Sequence, residues 1–245
     1  MPSILCRLGR KRAIRQIIKN KAPKDFTTYV EAFVGSGDVY FYLDLDPSVK
    51  AYINDLDPLI AQSHKIIKSN PSIENIEKYD LNLTEQNAFV KQKHTSPLDK
   101  LASNIMMLCG TFSGKARGKI YQSGNIPNKL KKIPDLAEYM KNTTITQQDW
   151  KTIFKKHDKP NSFIYLDPPY EKSEEQKLYK INIIDFEEMA RLMKSAKASV
   201  MLSINDSPNI RDIFKGLKIS KILVKGKHGK YISSEDRNEL IITNY

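Results

Sequence analysis

The sequence predicts an α/β protein: a mostly parallel sheet covered on both faces, interrupted by one polar, mostly helical insertion. Three observations predict it. Short apolar runs alternate with helical patterns near both ends of the chain, the rhythm of a parallel sheet. A glycine break, Gly35-Ser36-Gly37, follows the first run, and an acidic turn, Asn54-Asp55, follows the second. Between about 62 and 142 the chain becomes polar and lysine-rich, with breaks at Pro71 and Pro97.

Taken in order, residues 29–34 read as the first strand, ended by the glycines. Residues 39–43 are apolar and open a helix. Residues 49–53 form the second strand, and Pro58 suits the first position of the next helix, where a missing N–H costs nothing. Inside the insertion, residues 111–125 gather three glycines, three basic residues and two aromatics, a composition suited to a loop or hairpin. The α/β rhythm returns after Thr143. Residues 163–166 form a buried strand. Residues 186–193 form a helix, with Phe186, Met189, Ala190 and Met193 on its apolar side. Residues 199–204 form another strand, and 219–224 with 240–243 a terminal strand pair.

Composition sets further bounds. A chain of 245 residues accommodates one α/β domain with a sizeable insertion. Its formal net charge of +12 favours a polyanionic partner, although much of the lysine is ordinary solvated surface. Cys6 and Cys109 make no disulfide framework, which suggests a reducing compartment. His64, His94, His157 and His228 show no metal-ligand spacing, so no metal is expected. No apolar run is long enough to span a membrane. Arg7, Arg10, Lys11, Arg12 and Arg15 have no apolar core behind them, so the N-terminus is not a secretory signal.

The most specific chemistry lies at Asp167-Pro168-Pro169-Tyr170, just after the buried strand. Both prolines fix φ and lack an N–H, so they end the ladder and stiffen the corner. The carboxylate and a backbone carbonyl can accept both hydrogens of a planar amine, while the tyrosine ring stacks on its heterocycle. Taken alone, the four residues also suit a strand exit with a surface tyrosine. The Gly35 and Gly37 turn lets the backbone approach a ligand at the end of the first strand. The third glycine of the dinucleotide fingerprint is absent, which argues against NAD but not against another nucleoside. Asp55, at the end of the second strand, suits either a ribose diol or, like Asp57, a helix cap before Pro58.

The order of these motifs resembles the adenine-N6 DNA methyltransferases of the Dam-like, D12 class over nearly the whole chain. Leu8-Gly9-Arg10-Lys11 resembles that family's GxK segment, which helps bind S-adenosylmethionine through positions matching Gly9 and Lys11. Phe33-Val34-Gly35-Ser36-Gly37 resembles its FxGxG loop beside the methionine moiety. Asp55 matches the acid that holds the cofactor ribose. Gln148-Asp149-Trp150 resembles the short motif that contacts the cofactor adenine. Asp167 to Tyr170 matches the catalytic tetrapeptide, whose Asp also borders the cofactor, and residues 237–244 resemble the closing strand. The resemblance implies a Rossmann-like class I methyltransferase sheet, mostly parallel with an antiparallel closing strand. Residues 1–61 and 143–245 would form the catalytic, cofactor-binding domain. Residues 62–142 would form a target-recognition subdomain with a basic hairpin near 111–128.

It further implies methyl transfer to the exocyclic amine of an adenine flipped out of double-stranded DNA, since base chemistry requires the base to leave the stack. The product is S-adenosylhomocysteine, and no metal takes part. The amine would donate to Asp167 and the Pro168 carbonyl, and Tyr170 would stack on the ring. Lys115, Arg117, Lys119 and Tyr121 are the candidate DNA contacts in the hairpin, with Arg7 a further phosphate contact. The polar stretch 171–179 reads either as a loop closing over substrate or as a solvated linker. Gly124-Asn125-Ile126-Pro127 departs from the family's Gly-aromatic-Asn-x-Pro pattern, so the recognition sequence is not read. A monomer or weak dimer is expected, in the cytoplasm or, in a virus or nucleus, wherever the DNA lies. A cognate restriction endonuclease stays undetermined. The alternatives are an RNA adenine or cytosine-N4 methyltransferase, and a degenerate DNA-binding protein without catalysis.

Overall fold

The computed structural model describes residues 1–7, 9–111, 118–122, 124–170, 184–225, 228–229, 232–233 and 236–245. Seven strands form one sheet: β1 (Thr28–Glu31), β2 (Lys50–Asn54), β3 (Thr143–Thr146), β4 (Ser162–Leu166), β5 (Ser199–Asn205), β6 (Lys218–Val224) and, at the end of the chain, β9 (Arg237–Thr243). A separate short ribbon pairs β7 (His228–Gly229) with β8 (Ile232–Ser233). The sheet order is β3-β2-β1-β4-β5-β9-β6, and only β9 runs antiparallel to its neighbours. The expected mostly parallel sheet with an antiparallel closing strand is therefore observed.

Register explains why the central strands read as continuous apolar runs. In β4, Phe163 and Tyr165 face one layer while Ile164 and Leu166 face the other, and all four are buried. Side chains alternate across a strand, so a sheet covered on both faces must be apolar at every position. One face is covered by α8 (Trp150–His157), α9 (Phe186–Ser195) and α10 (Pro208–Ile213), whose Ile153, Phe154, Met189, Met193 and Ile210 pack on Ile164, Val200 and Leu202.

The other face carries α1 (Arg15–Lys21), the single turn α2 (Tyr40–Leu43) and the insertion. The insertion runs from α3 (Pro58–Lys68) through a 3₁₀ turn (Ile76–Tyr79), α4 (Leu83–Phe89), α5 (Pro97–Gly110) and α6 (Ile126–Leu130) to α7 (Ile133–Tyr139). Asp57 caps α3, accepting the Leu59 N–H at 2.9 Å, with Pro58 behind it as expected. Leu101, Ile105, Ile126, Leu130 and Ile133 join Tyr29, Ile53 and Phe163 in one continuous core. The inserted helices thus share the sheet's own interior.

Within the 111–128 segment, the described residues show how a loop is rooted. Asn87 donates to the Ile120 carbonyl at 3.0 Å and accepts its N–H at 2.8 Å, imitating a strand partner. The Gly110 carbonyl accepts the Tyr121 N–H at 2.8 Å. Ile120 is buried, while Lys119 and Tyr121 on either side point outward, Tyr121 being 63% exposed. Lys115, Arg117 and the stretch 171–179 lie outside the described residues.

One expectation is corrected. Cys6 and Cys109 are joined by a disulfide that closes a separation of 103 residues. Chain separation conceals this proximity, because it arises only when the N-terminal arm folds over α5. The bond ties the arm bearing Gly9 and Lys11 to α5, the helix that leads into the 111–128 segment.

Candidate active site

The chain runs β1, β2, β3 outward in one direction and then returns to place β4 on the other side of β1. The carboxyl ends of β1 and β4 therefore border the crevice where an α/β sheet binds ligands. At that point the backbone splits. Ala32 N–H still donates to Tyr165 of β4 at 3.2 Å, while Val34 N–H donates to Asn54 of β2 at 2.8 Å. The Phe33–Gly37 loop turns over the gap, and Asp167 leaves β4 opposite it. A cavity of about 390 Å³ extends along this edge from Trp150 to Asp167.

The expected site residues are brought together there. Gly9, Lys11, Phe33, Gly35, Asp55, Asp149, Trp150 and all of Asp167 to Tyr170 line the cavity. Gly37 does not line it. Its φ of +77° favours glycine, and a Cβ would meet the Phe41 ring at 2.9 Å, so this residue lets the loop pack down on α2. Of the hairpin candidates, Lys119 and Tyr121 are exposed and stand apart from the cavity lining.

Asp55 is set by two backbone donors. Its Oδ2 accepts the Gly35 N–H at 2.8 Å and its Oδ1 the Asp57 N–H at 2.9 Å. Burial raises its pKa, and Arg7 opposes the rise. The cap reading belongs to Asp57, and Asp55 faces the cavity. Arg7, 15% exposed, pairs with Asp57 at 2.8 Å, which ties this candidate phosphate contact to the cofactor side.

Asn54 fixes the next wall. Its amide donates to Ala32 and Gln148 carbonyls at 3.0 and 2.9 Å and accepts from Thr146 and from Gln148 N–H. Every hydrogen-bonding position of this buried side chain is used, so the Gln148-Asp149-Trp150 turn is held against β1. Asp149 caps α8 through the Lys151 N–H at 2.8 Å, and the Phe33 and Trp150 ring centroids lie 6.2 Å apart.

The corner at Asp167 to Tyr170 is a charged cluster. Lys11 Nζ, almost fully buried, lies 2.6 Å from Asp167 Oδ1 and 5.0 Å from the Tyr170 ring centre. It also donates to the Gly9 carbonyl at 3.1 Å. Ser203, on β5, donates to the same Asp167 oxygen at 3.1 Å and is linked to Tyr165 at 2.7 Å. Both partners hold Oδ1, which leaves Oδ2 without a protein donor among the described residues. Burial lifts the Asp167 pKa to about 6 against the pull of Lys11. Lys11 is carried above the ordinary lysine range: burial pushes it down, but Asp167, Tyr170 and Glu239 outweigh that.

Three polar neighbours of this corner are not singled out by the sequence. Glu31 is buried on the cavity floor, accepts the Tyr29 hydroxyl at 2.7 Å and is driven well above the carboxylate range by burial. Ser203 sits in an otherwise apolar strand. Glu239 is buried on β9 with Oε2 unpartnered among the described residues. A lone carboxylate within an apolar strand was the signal for Glu31 and Glu239. Ser203 carries none.

A sequence model of the family described as D12 class N6 adenine-specific DNA methyltransferase matches residues 8–228. The Type II methyltransferase M1.LlaDCHI of Lactococcus lactis subsp. cremoris is 28% identical, over 97% of this chain and 93% of its own. The Type II methyltransferase M.MjaIII of Methanocaldococcus jannaschii is 24% identical, over 97% of this chain and 96% of its own. Among solved structures, the precorrin-6y C5,15-methyltransferase of Geobacter metallireducens superposes with a TM-score of 0.47 at 10% identity, over 98% of this chain and 92% of that one.

Proposed function

The chain belongs to the D12 class N6 adenine-specific DNA methyltransferases, and from that membership we propose how its residues divide the reaction. The observation that carries the proposal is the Lys11–Asp167–Tyr170 corner, set on one cavity with Asp55 and the glycine loop.

S-adenosylmethionine is the methyl donor that fits, and when bound it supplies an electrophilic methyl on a sulfonium. The donor set suits each part of it. Asp55, held by two backbone N–H groups, accepts the ribose hydroxyls. Phe33 and Trp150 offer aromatic surface to the adenine, with Asp149 as a polar edge. Gly35 leaves room for close approach, since a Cβ there would have only Arg7 within reach, at 3.8 Å. Gly9 and Lys11 close the methionine end. No metal is used.

Asp167 Oδ2 and the Pro168 carbonyl accept the two N6 hydrogens of a flipped adenine, and Tyr170 stacks on its ring. Neither Pro168 nor Pro169 has an N–H to compete for those acceptors. The amine lone pair is thereby aimed along the cavity, and catalysis is mainly positioning and exclusion of water. Lys11 and Ser203 fix Asp167 through its other oxygen. As the methyl group is transferred, the amine gives up one proton, and Asp167 Oδ2 is the acceptor. No covalent enzyme intermediate is required, and both cysteines are committed to each other.

Residues 1–61 and 143–245 carry catalysis in this proposal, and 62–142 read the target, with Lys119 and Tyr121 exposed and Lys115 and Arg117 as the further candidate contacts. The Type II names of both relatives extend it to the modification enzyme of a restriction system acting on double-stranded DNA. The test is methyl transfer from labelled S-adenosylmethionine to unmodified genomic DNA, followed by nucleoside mass spectrometry. N6-methyladenine is expected. An unmodified digest from protein that binds the cofactor would overturn the assignment.

A further inference from the structure

A second charged cluster lies where the N-terminal arm meets the insertion. Lys129, on α6, is half-buried, and its Nζ donates to the Ile4 carbonyl at 3.1 Å and lies 3.8 Å from the Cys6 sulfur. No carboxylate pairs with it among the described residues. Burial pushes its ammonium below the usual lysine range, and Arg10, Lys132 and Arg12 push it further in the same direction. The carboxylate in this group is Asp38, which takes Arg10 through two nitrogens and Arg12 at 3.5 Å. Of these four cations only Arg10 and Arg12 reach Asp38, and among the described residues no carboxylate is shown against Lys129 or Lys132. Asp38 is only 3% exposed, whereas Arg12 is 53% exposed and Lys132 is exposed, so the outward face is cationic.

A solvated lysine such as Lys155 needs no further explanation. Lys129 does, because it bears a burial cost and three repulsions with no acid in return. Such a cluster is relieved by a polyanion. Its place favours one in particular: Arg10 and Asp38 also line the cavity that ends at Asp167 to Tyr170. The strand carrying a base into that cavity must pass its mouth.

We propose that Arg12, Lys129 and Lys132 clamp the sugar-phosphate backbone of DNA beside the pocket that receives the target base. This rests on the DNA methylation reading above and names a contact face outside the recognition hairpin. Phosphate contacts of this kind position the duplex without reading its sequence.

The test measures binding of a short random-sequence DNA duplex to the full chain as salt is raised. Four proteins are compared: wild type, R12Q/K132Q, K129M, and K155Q/K156Q, which removes equal charge from exposed positions on α8. Each lost phosphate contact should flatten the slope of log affinity against log salt by about 0.9. R12Q/K132Q is expected to flatten it by about 1.8 and K129M by about 0.9. The control is expected to keep the wild-type slope. K129M should also retain or raise the thermal midpoint, which a purely structural lysine would lower. A wild-type slope in R12Q/K132Q, or a change no larger than the control's, overturns the clamp. If wild type methylates adenine while R12Q/K132Q keeps its slope, the clamp fails and the reaction stands. If wild type binds through these residues but transfers no methyl group, the reaction fails and the clamp stands. No binding by wild type overturns both.

Discussion

Asp167 is asked to do two things that oppose each other. In the proposed mechanism it is ionised to accept an amine hydrogen, yet burial favours its protonated form. Lys11 resolves part of the conflict, and breaking the pair leaves a buried ammonium at a cost of about 3–5 kcal/mol. Asp167→Ala should therefore lose thermal stability as well as activity, while Asp167→Asn keeps one acceptor oxygen and the shape. Both variants are expected to lower kcat by at least about 10²-fold while retaining most DNA affinity. Substantial turnover by Asp167→Ala in a single-turnover assay would remove Asp167 from the reaction. The pH dependence follows from the raised pKa. Activity needs the carboxylate, so kcat/KM should fall as pH drops through about 6. Stability runs the other way. The folded Asp167 binds its proton more tightly than the unfolded one, so its favourable contribution is complete below the unfolded pKa and lost as pH rises through about 6. Comparing wild-type and Asp167→Asn melting curves across pH 4–8 isolates that term; parallel curves would contradict it.

At the scale of elements, two glycines that look alike in the sequence separate by role. Gly37 closes the Phe33–Gly37 loop at φ +77°, where a Cβ would strike Phe41 at 2.9 Å and approach His64 at 3.2 Å. Gly110 ends α5 with no positive φ, but a Cβ there would meet Ile120 at 2.5 Å and the Gln122 carbonyl at 2.7 Å. Gly37→Ala combines backbone strain of about 1–3 kcal/mol with a shifted loop, and it should weaken S-adenosylmethionine binding in calorimetry. Gly110→Ala should displace the root of the recognition loop and weaken DNA binding with cofactor affinity preserved. Equal loss of both ligands in either variant would mean general unfolding instead. The strands themselves were legible because their periodicity is local. β4, with both faces buried, is apolar at every position, and the capped start of α3 follows from Asp57-Pro58 alone. β3 is Thr-Thr-Ile-Thr at the sheet edge, and that run has little apolar signal to find.

For the whole molecule, the Cys6–Cys109 bond joins the arm whose Lys11 pairs with Asp167 to the insertion proposed to read the target. Cross-linking a loop of about 100 residues restricts the unfolded chain and is worth about 2–5 kcal/mol. Reduction, or the Cys6→Ser/Cys109→Ser pair, should therefore lower the urea midpoint and raise the m-value, because the freed unfolded chain exposes more surface. An unchanged midpoint would show that the packing of Ile4 and Leu5 alone secures the arm.

The sequence by itself determined the strand–helix alternation and the polar insertion, and it singled out Asp167-Pro168-Pro169-Tyr170 at the end of a buried strand, because each is written in neighbouring residues. It also marked Asp55 and Trp150, which stand at strand and helix ends. Only the tertiary structure decided which charges meet. Lys11 finds Asp167 and Arg10 finds Asp38 across the fold, Cys6 reaches Cys109, and Gly37 turns out to serve packing. Coulombic and desolvation energies depend on distance and burial in space, and separation along the chain encodes neither.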